Sequence, residues 1–444
     1  MGEVLLHDAD YVVQSAEHWA PRTSVHIESD RISAVGAARD LLERFPAARR
    51  IDCRGRILIP GLINAHNHLY QILVRGLGKR WRLEDWKRRL TYPLARGLST
   101  LDYETAVRLA AMDSLRSGTT AIVDMPTHYA RAHRDVSMSA LREIGLRGAV
   151  VGSASDTSTG ESGENSTRAE ELASLSTFLE RWKGSSTVQP WIGPAGFHAA
   201  SPELMVEMKR LATVNGTRFH LHLGETEESM KSAQGRGHDC EVAWAGALDL
   251  LDERTSVAHA VWTSRSGRQR LASSRAQVVH NPNSNQVLAS GVAPLRAYRE
   301  AGIPIALGTD GPASNDSLDL ISEMKSAVLL QRVHARVAVE LSAGEAFSMC
   351  TEGGARVLGI ERLGRLEAGW LADVVAIQVA NNPCLAPLYD PVESLVYHGS
   401  GRDVVLTIVG GRVLYEDGRF TTVDADAVLS AAREAAARVR ARLM

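Results

Sequence analysis

Between about residues 60 and 310, short apolar runs alternate with longer amphipathic stretches, and this alternation leaves few folds open to the chain. Segments 103–117 and 202–215 carry the apolar spacing of amphipathic helices. Repeated β–α alternation predicts an α/β protein built on a (β/α)8 TIM-like barrel, with an open doubly wound sheet as the alternative. The eight runs are Ile57–Ile59 leading to His66, Thr119–Met125, Arg147–Gly152, Val188–Ala195, Arg218–Glu225, Thr255–Ala260, Ala276–Pro282 and Pro304–Asp310.

The two ends of the chain follow a different pattern. Residues 1–56 and 364–420 alternate apolar and polar positions between turn signals, which is typical of short antiparallel strands. Each stretch is too short to close a core alone. We therefore expect them to form one smaller composite β-sandwich domain beside a barrel over residues 57–363. Segment 424–444 has acidic residues first and arginines last, which predicts a C-terminal helix that packs on the barrel or, alternatively, binds a surface.

Composition excludes several classes of protein. The 444 residues carry a formal net charge of −2, which argues against a protein that coats nucleic acid. No run approaches the roughly 18 unbroken apolar residues of a membrane span, and the first eleven residues lack the features of a secretory signal. The four cysteines are scattered, as suits a reducing compartment. We expect a cytoplasmic protein with no nucleic-acid or membrane partner.

Histidine and aspartate side chains, which can bind metal ions or transfer protons, lie at the predicted strand ends. His66 and His68 follow the first run with one residue between them, so both rings leave the strand end on the same side. This pair alone fits either a metal site or two structural histidines. His222 and His259 end the fifth and sixth runs, and Asp310 ends the eighth. Because barrel enzymes draw catalytic groups from the C-terminal ends of several strands, these positions together predict one shared site.

Longer motifs surround these residues. They are Asp30–Ile32, Pro60–His68, His222–Thr226, His280–Asn285, Gly308–Asp316 and Gly364–Asp373. On these motifs, which span nearly the whole chain, the sequence resembles the amidohydrolase superfamily. Within it, the chain is most similar to the aromatic aminohydrolase branch of S-adenosylhomocysteine/methylthioadenosine deaminases, guanine-type deaminases and triazine hydrolases.

The resemblance implies one divalent metal ion per chain. The implied ligands are His66, His68, His222 and Asp310. It also implies Glu225 as a proton shuttle, with His259 and Asp310 as further catalytic groups beside the reacting water. Three imidazoles and a carboxylate suit Zn²⁺, with Fe²⁺ or Mn²⁺ as alternatives. Two-metal relatives need a carboxylated lysine on the fourth strand, and segment 188–195 contains no lysine, which favours a single ion.

This metal site predicts a hydrolytic reaction. A bound ion lowers the pKa of water from 15.7 to about 7, so hydroxide can attack at neutral pH. Attack on a C–NH₂ carbon with release of ammonia would deaminate a small N-heterocycle of the purine, pterin, pyrimidine or triazine type. The alternative is hydrolysis of a C–Cl or cyclic amide bond on the same scaffold. A non-catalytic scaffold is disfavoured because all four implied ligands are present, and the resemblance implies a homo-oligomer, either a dimer or a tetramer.

The loops above the strand ends are expected to choose the substrate. Segment 78–96 is basic and aromatic; its Trp86 either stacks on a flat heterocycle or packs inside a lid. Its cations are expected to be solvated, with one or two as candidates to meet an anionic substituent. Adenosine-deaminating relatives carry Glu where Ala95 stands and His where Ala195 stands, so both positions argue against a plain nucleoside. His198 either replaces that histidine or lies on the surface.

Two further predictions concern the mouth of the barrel. Segment 153–168 is rich in Ser, Gly, Thr and Glu, which predicts a mobile loop over the pocket. The remaining candidates for substrate contact are His128, Asn283 and Ser314.

Overall fold

A computed structural model describes residues 2–126, 129, 131–157 and 166–443. Within this part of the chain, eight parallel strands follow one another around a nearly closed barrel in sequence order. They are β6 (Leu62–Asn67), β7 (Thr119–Asp124), β8 (Arg147–Ala154), β9 (Val188–Pro194), β10 (Phe219–Leu223), β11 (Thr255–His259), β12 (Gln277–His280) and β13 (Ile305–Leu307). The first and last strands approach each other where the Asp310 backbone N–H donates to His66 O at 3.1 Å. The barrel prediction is therefore confirmed over the open-sheet alternative.

Helices cover the outside of the barrel and the loops at its mouth. Their first turns carry the expected capping residues: Ser99 accepts from the N–H of Asp102, and Thr167 forms a capping box with Glu170. The helices are α1 (Ala38–Arg44), α2 (Leu83–Trp86), α3 (Tyr92–Gly97), α4 (Thr100–Arg116), α5 (Ala132–Ile144), α6 (Arg168–Arg181), α7 (Pro202–Val214), α8 (Glu227–Gln234), α9 (Glu241–Ala247), α10 (Arg265–Ser274), α11 (Pro282–Val287), α12 (Leu295–Glu300), α13 (Pro312–Asn315), α14 (Leu320–Ala335), α15 (Ala343–Cys350), α16 (Glu352–Leu358), α17 (Pro391–His398) and α18 (Ala425–Leu443).

The two chain ends meet in a second sheet, which is mixed and continuous. Its strands within the described residues are β1 (Glu3–Val13), β2 (Trp19–Glu28), β3 (Arg31–Gly36), β4 (Arg49–Asp52), β5 (Arg56–Pro60), β14 (Val374–Gln378), β15 (Val404–Val409), β16 (Arg412–Glu416) and β17 (Arg419–Phe420). β5 pairs with β1 on one side and with β14 on the other, so the two ends are joined through this strand. The sheet has its own apolar core, and the buried Asp373 ties it to the barrel by an ion pair with Arg147 at 3.0 Å.

One strand assignment from the sequence is wrong. Residues 57–59 were expected to lead into the first barrel strand, but they lie in β5 and pair with β14 of the small sheet. The chain changes sheets at Gly61, where an added Cβ would lie 2.2 Å from the Thr120 hydroxyl oxygen. Both strands are apolar and buried, so the pattern does not show where one ends.

The C-terminal helix α18 packs beside α4. Arg438 forms an ion pair with the buried Asp102 at 2.7 Å, and Arg442 donates to the carbonyl oxygen of Gly97. The structure therefore shows this helix packed against the rest of the protein. Across the described ranges, we find no helix with the length and apolarity needed to traverse a bilayer.

Candidate metal centre and active site

Four of the predicted site residues converge at the C-terminal end of the barrel. Nε2 of His66 lies 3.2 Å from Nε2 of His222 and 3.4 Å from Oδ1 of Asp310. Nε2 of His68 lies 3.3 Å from the same His222 atom and 3.4 Å from the same Asp310 atom. Donors at the corners of a tetrahedron with metal bonds of 2.0–2.1 Å lie about 3.3–3.4 Å apart. This four-donor cluster therefore has the dimensions of a zinc-type site.

The hydrogen bonds on the far sides of the rings explain why these atoms face one another. Nδ1 of His68 donates to the carbonyl oxygen of Met125 at 2.8 Å, and Nδ1 of His66 lies 2.8 Å from Nε2 of His220. With the ring protons on Nδ1, the Nε2 lone pairs point into the cluster. Burial lowers the pKa of His66 to about 4 and holds the pKa of His222 well below its ordinary value. Neutral imidazoles packed this closely around a carboxylate oxygen fit a shared cation.

Hydrogen bonds from two hydroxyl groups and one backbone N–H hold Asp310 in place. Its Oδ2 accepts from the hydroxyls of Ser284 at 2.6 Å and Ser314 at 3.0 Å, and its Oδ1 accepts from the N–H of Gly311 at 2.7 Å. Asp310 has φ +57° and His259 has φ +70°, in the left-handed region that costs a non-glycine residue about 1–2 kcal/mol. These contacts fix the carboxylate despite that cost.

Ser314 and Asn283, which the sequence predicts as substrate contacts, do not line the cavity described below. Ser314 is fully buried behind Asp310. Asn283 donates from its side chain to Glu323 at 2.6 Å, and the same carboxylate accepts from Asn315. Asn283 therefore faces helix α14, and Ser314 faces the back of the Asp310 carboxylate. Burial raises the pKa of Glu323 to about 8.

Glu225 and His259 lie beside the four-donor cluster. Oε2 of Glu225 is 3.8 Å from Nε2 of His259, while Nδ1 of His259 donates to Oδ1 of Asn285 at 3.0 Å. A ring nitrogen of His259 also lies within 4.8 Å of those of His66 and His222. Burial raises the pKa of Glu225, so this carboxyl group holds a proton more readily than an exposed glutamate does.

These residues open into a cavity of 490 Å³, of the size that binds small organic molecules. The predicted site residues among those that line it are His68, Trp86, His198, His222, Glu225, His259 and Asp310. Trp86 is buried in the apolar core and also lines the cavity, so its position is compatible with both packing and substrate contact. His128 and residues 158–165 of the predicted mouth loop lie outside the described residues.

Most basic side chains of segment 78–96 that were candidates for an anionic substituent are already paired. The pairs are Lys79–Asp316, Arg82–Glu228, Lys87–Glu84, Arg88–Asp85 and Arg89–Asp85. Arg96 stacks over the ring of Tyr129 at 4.9 Å. Glu84 and Asp85, three or four residues before their partner cations, were the signal for three of these pairs.

His198 lines the cavity. Its Nε2 lies 2.7 Å from Oε1 of Glu241, a buried residue that the sequence did not single out. Sequence reasoning also missed the supporting role of His220, although its position two residues before His222 placed it on the same strand face. Asn285 and Glu323 carried no comparable signal, because their contacts join distant segments.

A barrel with three histidines and an aspartate converging at its strand ends, next to a half-buried glutamate, is the architecture of a hydrolase that works through a metal ion. The chain belongs to the amidohydrolase family: the model of that family matches residues 57–414. It is a hydrolase that acts on C–N bonds.

Named relatives share most of their length with this chain. It is 33% identical to a 5-methylthioadenosine/S-adenosylhomocysteine deaminase of Nitratidesulfovibrio vulgaris over 412 residues, which cover 93% of this chain and 91% of the relative. It is 32% identical to a 5′-deoxyadenosine deaminase of Methanosphaera stadtmanae, with 88% and 89% covered.

Solved structures agree with the fold. An adenosine deaminase from Xanthomonas campestris with bound zinc superimposes with a TM-score of 0.91 at 26% identity, covering 99% of this chain and 98% of the other. The zinc complex of atrazine chlorohydrolase TrzN from Arthrobacter aurescens gives 0.88 at 25% identity, covering 98% and 100%.

Proposed function

We propose that this protein catalyses the hydrolytic deamination of a small amino-substituted N-heterocycle of the purine, pterin, pyrimidine or triazine type. One observation carries the proposal: a half-buried glutamate, Glu225, shares a cavity wall with the four-donor cluster. Expulsion of ammonia requires a proton donor for the departing amine, and Glu225 stands where such a donor is needed. The deaminase relatives support the same reaction class.

Four side chains of the cluster would hold the ion. They are His66, His68, His222 and Asp310, and their spacing suits one Zn²⁺ per chain, with Fe²⁺ or Mn²⁺ as alternatives. Such an ion supplies Lewis acidity and activates water at neutral pH.

The chain's own residues then move protons and hold the reacting groups. Asp310 receives a proton from water, and Nε2 of His259 orients the attacking oxygen toward the amino-bearing carbon. Glu225 starts protonated and delivers this proton to a ring nitrogen; it then takes up the second proton of the attacking water as the carbonyl forms and passes it to the departing amine. The proton held by Asp310 finally returns to Glu225. The overall change is replacement of NH₂ by a carbonyl oxygen, with one water consumed and one ammonia released. Apolar neighbours such as Leu223 and Phe197 reduce the access of bulk water to the cavity.

The test is an ammonia assay with mass detection on the zinc-loaded enzyme. The panel comprises adenosine, 5′-deoxyadenosine, 5′-methylthioadenosine, guanine, a pterin, cytosine and melamine. We expect ammonia from at least one compound, with a product one mass unit heavier than the substrate. Zinc-loaded enzyme that releases no ammonia from the whole panel would overturn the proposal.

A second candidate is hydrolysis of a C–Cl bond in a triazine, favoured by the similarity to atrazine chlorohydrolase. Chloride leaves without a proton, so Glu225 would contribute less to that reaction. Product mass separates the two, because loss of chlorine and gain of hydroxyl lowers the mass, whereas deamination raises it. Atrazine in the same panel makes the comparison direct.

A further inference from the structure

Among the described residues that line the cavity, outside the four-donor cluster and the Glu225–His259 pair, five side chains are acidic, basic or histidine. We call this group the charged wall; it consists of Glu84, Lys87, His198, Glu228 and Glu241. Three of the five are carboxylates.

The charged wall has little positive charge to offer. Lys87 is the only lysine or arginine among the described residues that line the cavity, and its Nζ is 2.7 Å from Oε1 of Glu84. Glu228 has Arg82 as its nearest cation at 3.8 Å, and both side chains are well exposed. The residues outside the described ranges, 127–128, 130 and 158–165, contain no lysine or arginine in the sequence. An incoming anion would therefore have to compete for Lys87 with a carboxylate already bound to it.

Glu241 is the buried acid of the charged wall. Its Oε2 accepts the backbone N–H of Gly224 at 2.6 Å, and its Oε1 accepts from Nε2 of His198 at 2.7 Å. The residue is only 3% exposed, yet it lines the cavity. Neither of its hydrogen bonds comes from a lysine or arginine.

The bond to Glu241 also determines what His198 offers to a ligand. A neutral imidazole that donates from Nε2 keeps a lone pair on Nδ1 and is therefore an acceptor there. His198 is 38% exposed, so this nitrogen has room to meet a ligand. Together, Glu241 and His198 give this part of the cavity hydrogen-bond acceptors and negative charge.

The cavity has space for more than one ring. Its 490 Å³ lies within the range of about 300–1,000 Å³ in which proteins bind drug-sized ligands. A single aminated heterocycle next to the four-donor cluster leaves room for a substituent along the charged wall.

We propose that the charged wall, through Glu241 and His198, is a specificity determinant that admits uncharged or cationic substituents bearing hydrogen-bond donors and disfavours carboxylate or phosphate groups. This inference rests on the proposed function, because it concerns the substituent of the ring that is deaminated. It predicts a difference from a relative whose name includes S-adenosylhomocysteine, a compound with a carboxylate.

The first test uses three thioethers that differ only at the end of the chain on the 5′ sulfur: 5′-methylthioadenosine, its 2-aminoethyl counterpart and its carboxymethyl counterpart. Ammonia release gives kcat/KM for each, and calorimetry on the zinc-loaded enzyme gives Kd. Relative to the anionic compound, we expect the neutral and cationic compounds to have a kcat/KM about tenfold or more higher and a Kd about tenfold or more lower. Equal or better use of the carboxymethyl compound would overturn the inference.

The second test changes the wall itself. Glu241→Gln keeps the side-chain shape and removes the charge, so it should reduce the preference for aminoethyl over carboxymethyl by about fivefold or more. Glu180→Gln, on the exposed face of α6, is the matched control and should leave the preference unchanged. An unchanged preference in Glu241→Gln protein with full zinc content would count against Glu241 as the determinant. If that variant does not fold, the comparison of the three thioethers with the wild-type enzyme still tests the inference.

The two proposals can fail separately. Ammonia from these thioethers without a charge preference would overturn the specificity inference alone. A charge preference in Kd, with no ammonia from any aminated heterocycle, would overturn the deaminase proposal alone. Ammonia from guanine or melamine, but neither turnover nor binding of any thioether, would overturn the inference, because no substituent would then occupy the charged wall.

Discussion

Side chains of the four-donor cluster are fixed by hydrogen bonds to buried groups and to the backbone, whereas most of the charged wall is held only by exposed ion pairs. Nδ1 of His66 and Nδ1 of His68 meet buried or backbone partners at 2.8 Å, and Asp310 is bound by two buried hydroxyls. In the charged wall, by contrast, the side chains of Glu84 and Glu228 are 69% and 64% exposed.

This difference separates the chemistry from the choice of substrate. Groups that must hold an ion need a fixed geometry, which strand ends and buried partners provide. Exposed ion pairs contribute little to stability, about 0–1 kcal/mol each, so loop residues can change without loss of the fold. Changes at the cluster should therefore lower metal binding or kcat, and changes at the cavity wall should alter KM.

The largest expected effect comes from Glu225→Gln. The amide cannot shuttle a proton, so we expect kcat to fall by about 10²–10⁴-fold, the usual contribution of general acid–base catalysis, while the zinc content stays at one per chain. Stopped-time ammonia assays and metal analysis measure both. Glu227→Gln, whose native side chain pairs with Lys231, is the control and should keep wild-type rates. Wild-type turnover in the Glu225 variant would remove this residue from the mechanism.

A smaller effect is expected one layer behind the cluster. His220 is fully buried, with Nε2 at 2.8 Å from His66 and Nδ1 at 2.7 Å from the hydroxyl of Ser256. His220→Ala releases the ring of His66, so zinc affinity should fall by about 10–100-fold, as is typical for partners of metal ligands. Competition with a chelator measures this change. The exposed His334→Ala is the control, and equal affinities in the two variants would show that the cluster needs no such support.

The sequence predicted what lies at strand ends and missed what lies behind them. His222 and Asp310 could be placed because periodicity locates strand ends, and a barrel brings those ends together. Glu241 and Glu323 could not, because their roles depend on contacts made by the folded helices α9 and α14 with segments far away in sequence. The change of sheet at Gly61 was not predicted for a related reason, since two consecutive buried strands have the same apolar pattern.

Glu323 makes stability depend on pH. Its ordinary pKa of 4.5 is raised to about 8 by burial, so between these values the folded protein binds a proton that the unfolded chain releases. The free energy of unfolding should therefore fall by about 2–3 kcal/mol between pH 6 and pH 9 through this group. Glu323→Gln should lose that dependence, which urea unfolding at the two pH values measures. Glu393→Gln, on the exposed side of α17, should retain it, and a retained slope in the Glu323 variant would assign the dependence elsewhere.

The smallest expected effect lies at the cavity wall away from the cluster, at Trp86. Its ring packs in the core and lines the cavity, and among the described residues its buried Nε1 has no hydrogen-bond partner. Trp86→Phe keeps an apolar ring but removes contact area and that donor, so KM should rise by about two- to fivefold with kcat nearly unchanged. Trp19→Phe, in β2 of the small sheet, controls for general effects of the substitution. A fall in kcat at constant KM would place Trp86 with the fixed chemistry of the cluster, and would break the division between the two parts of the cavity.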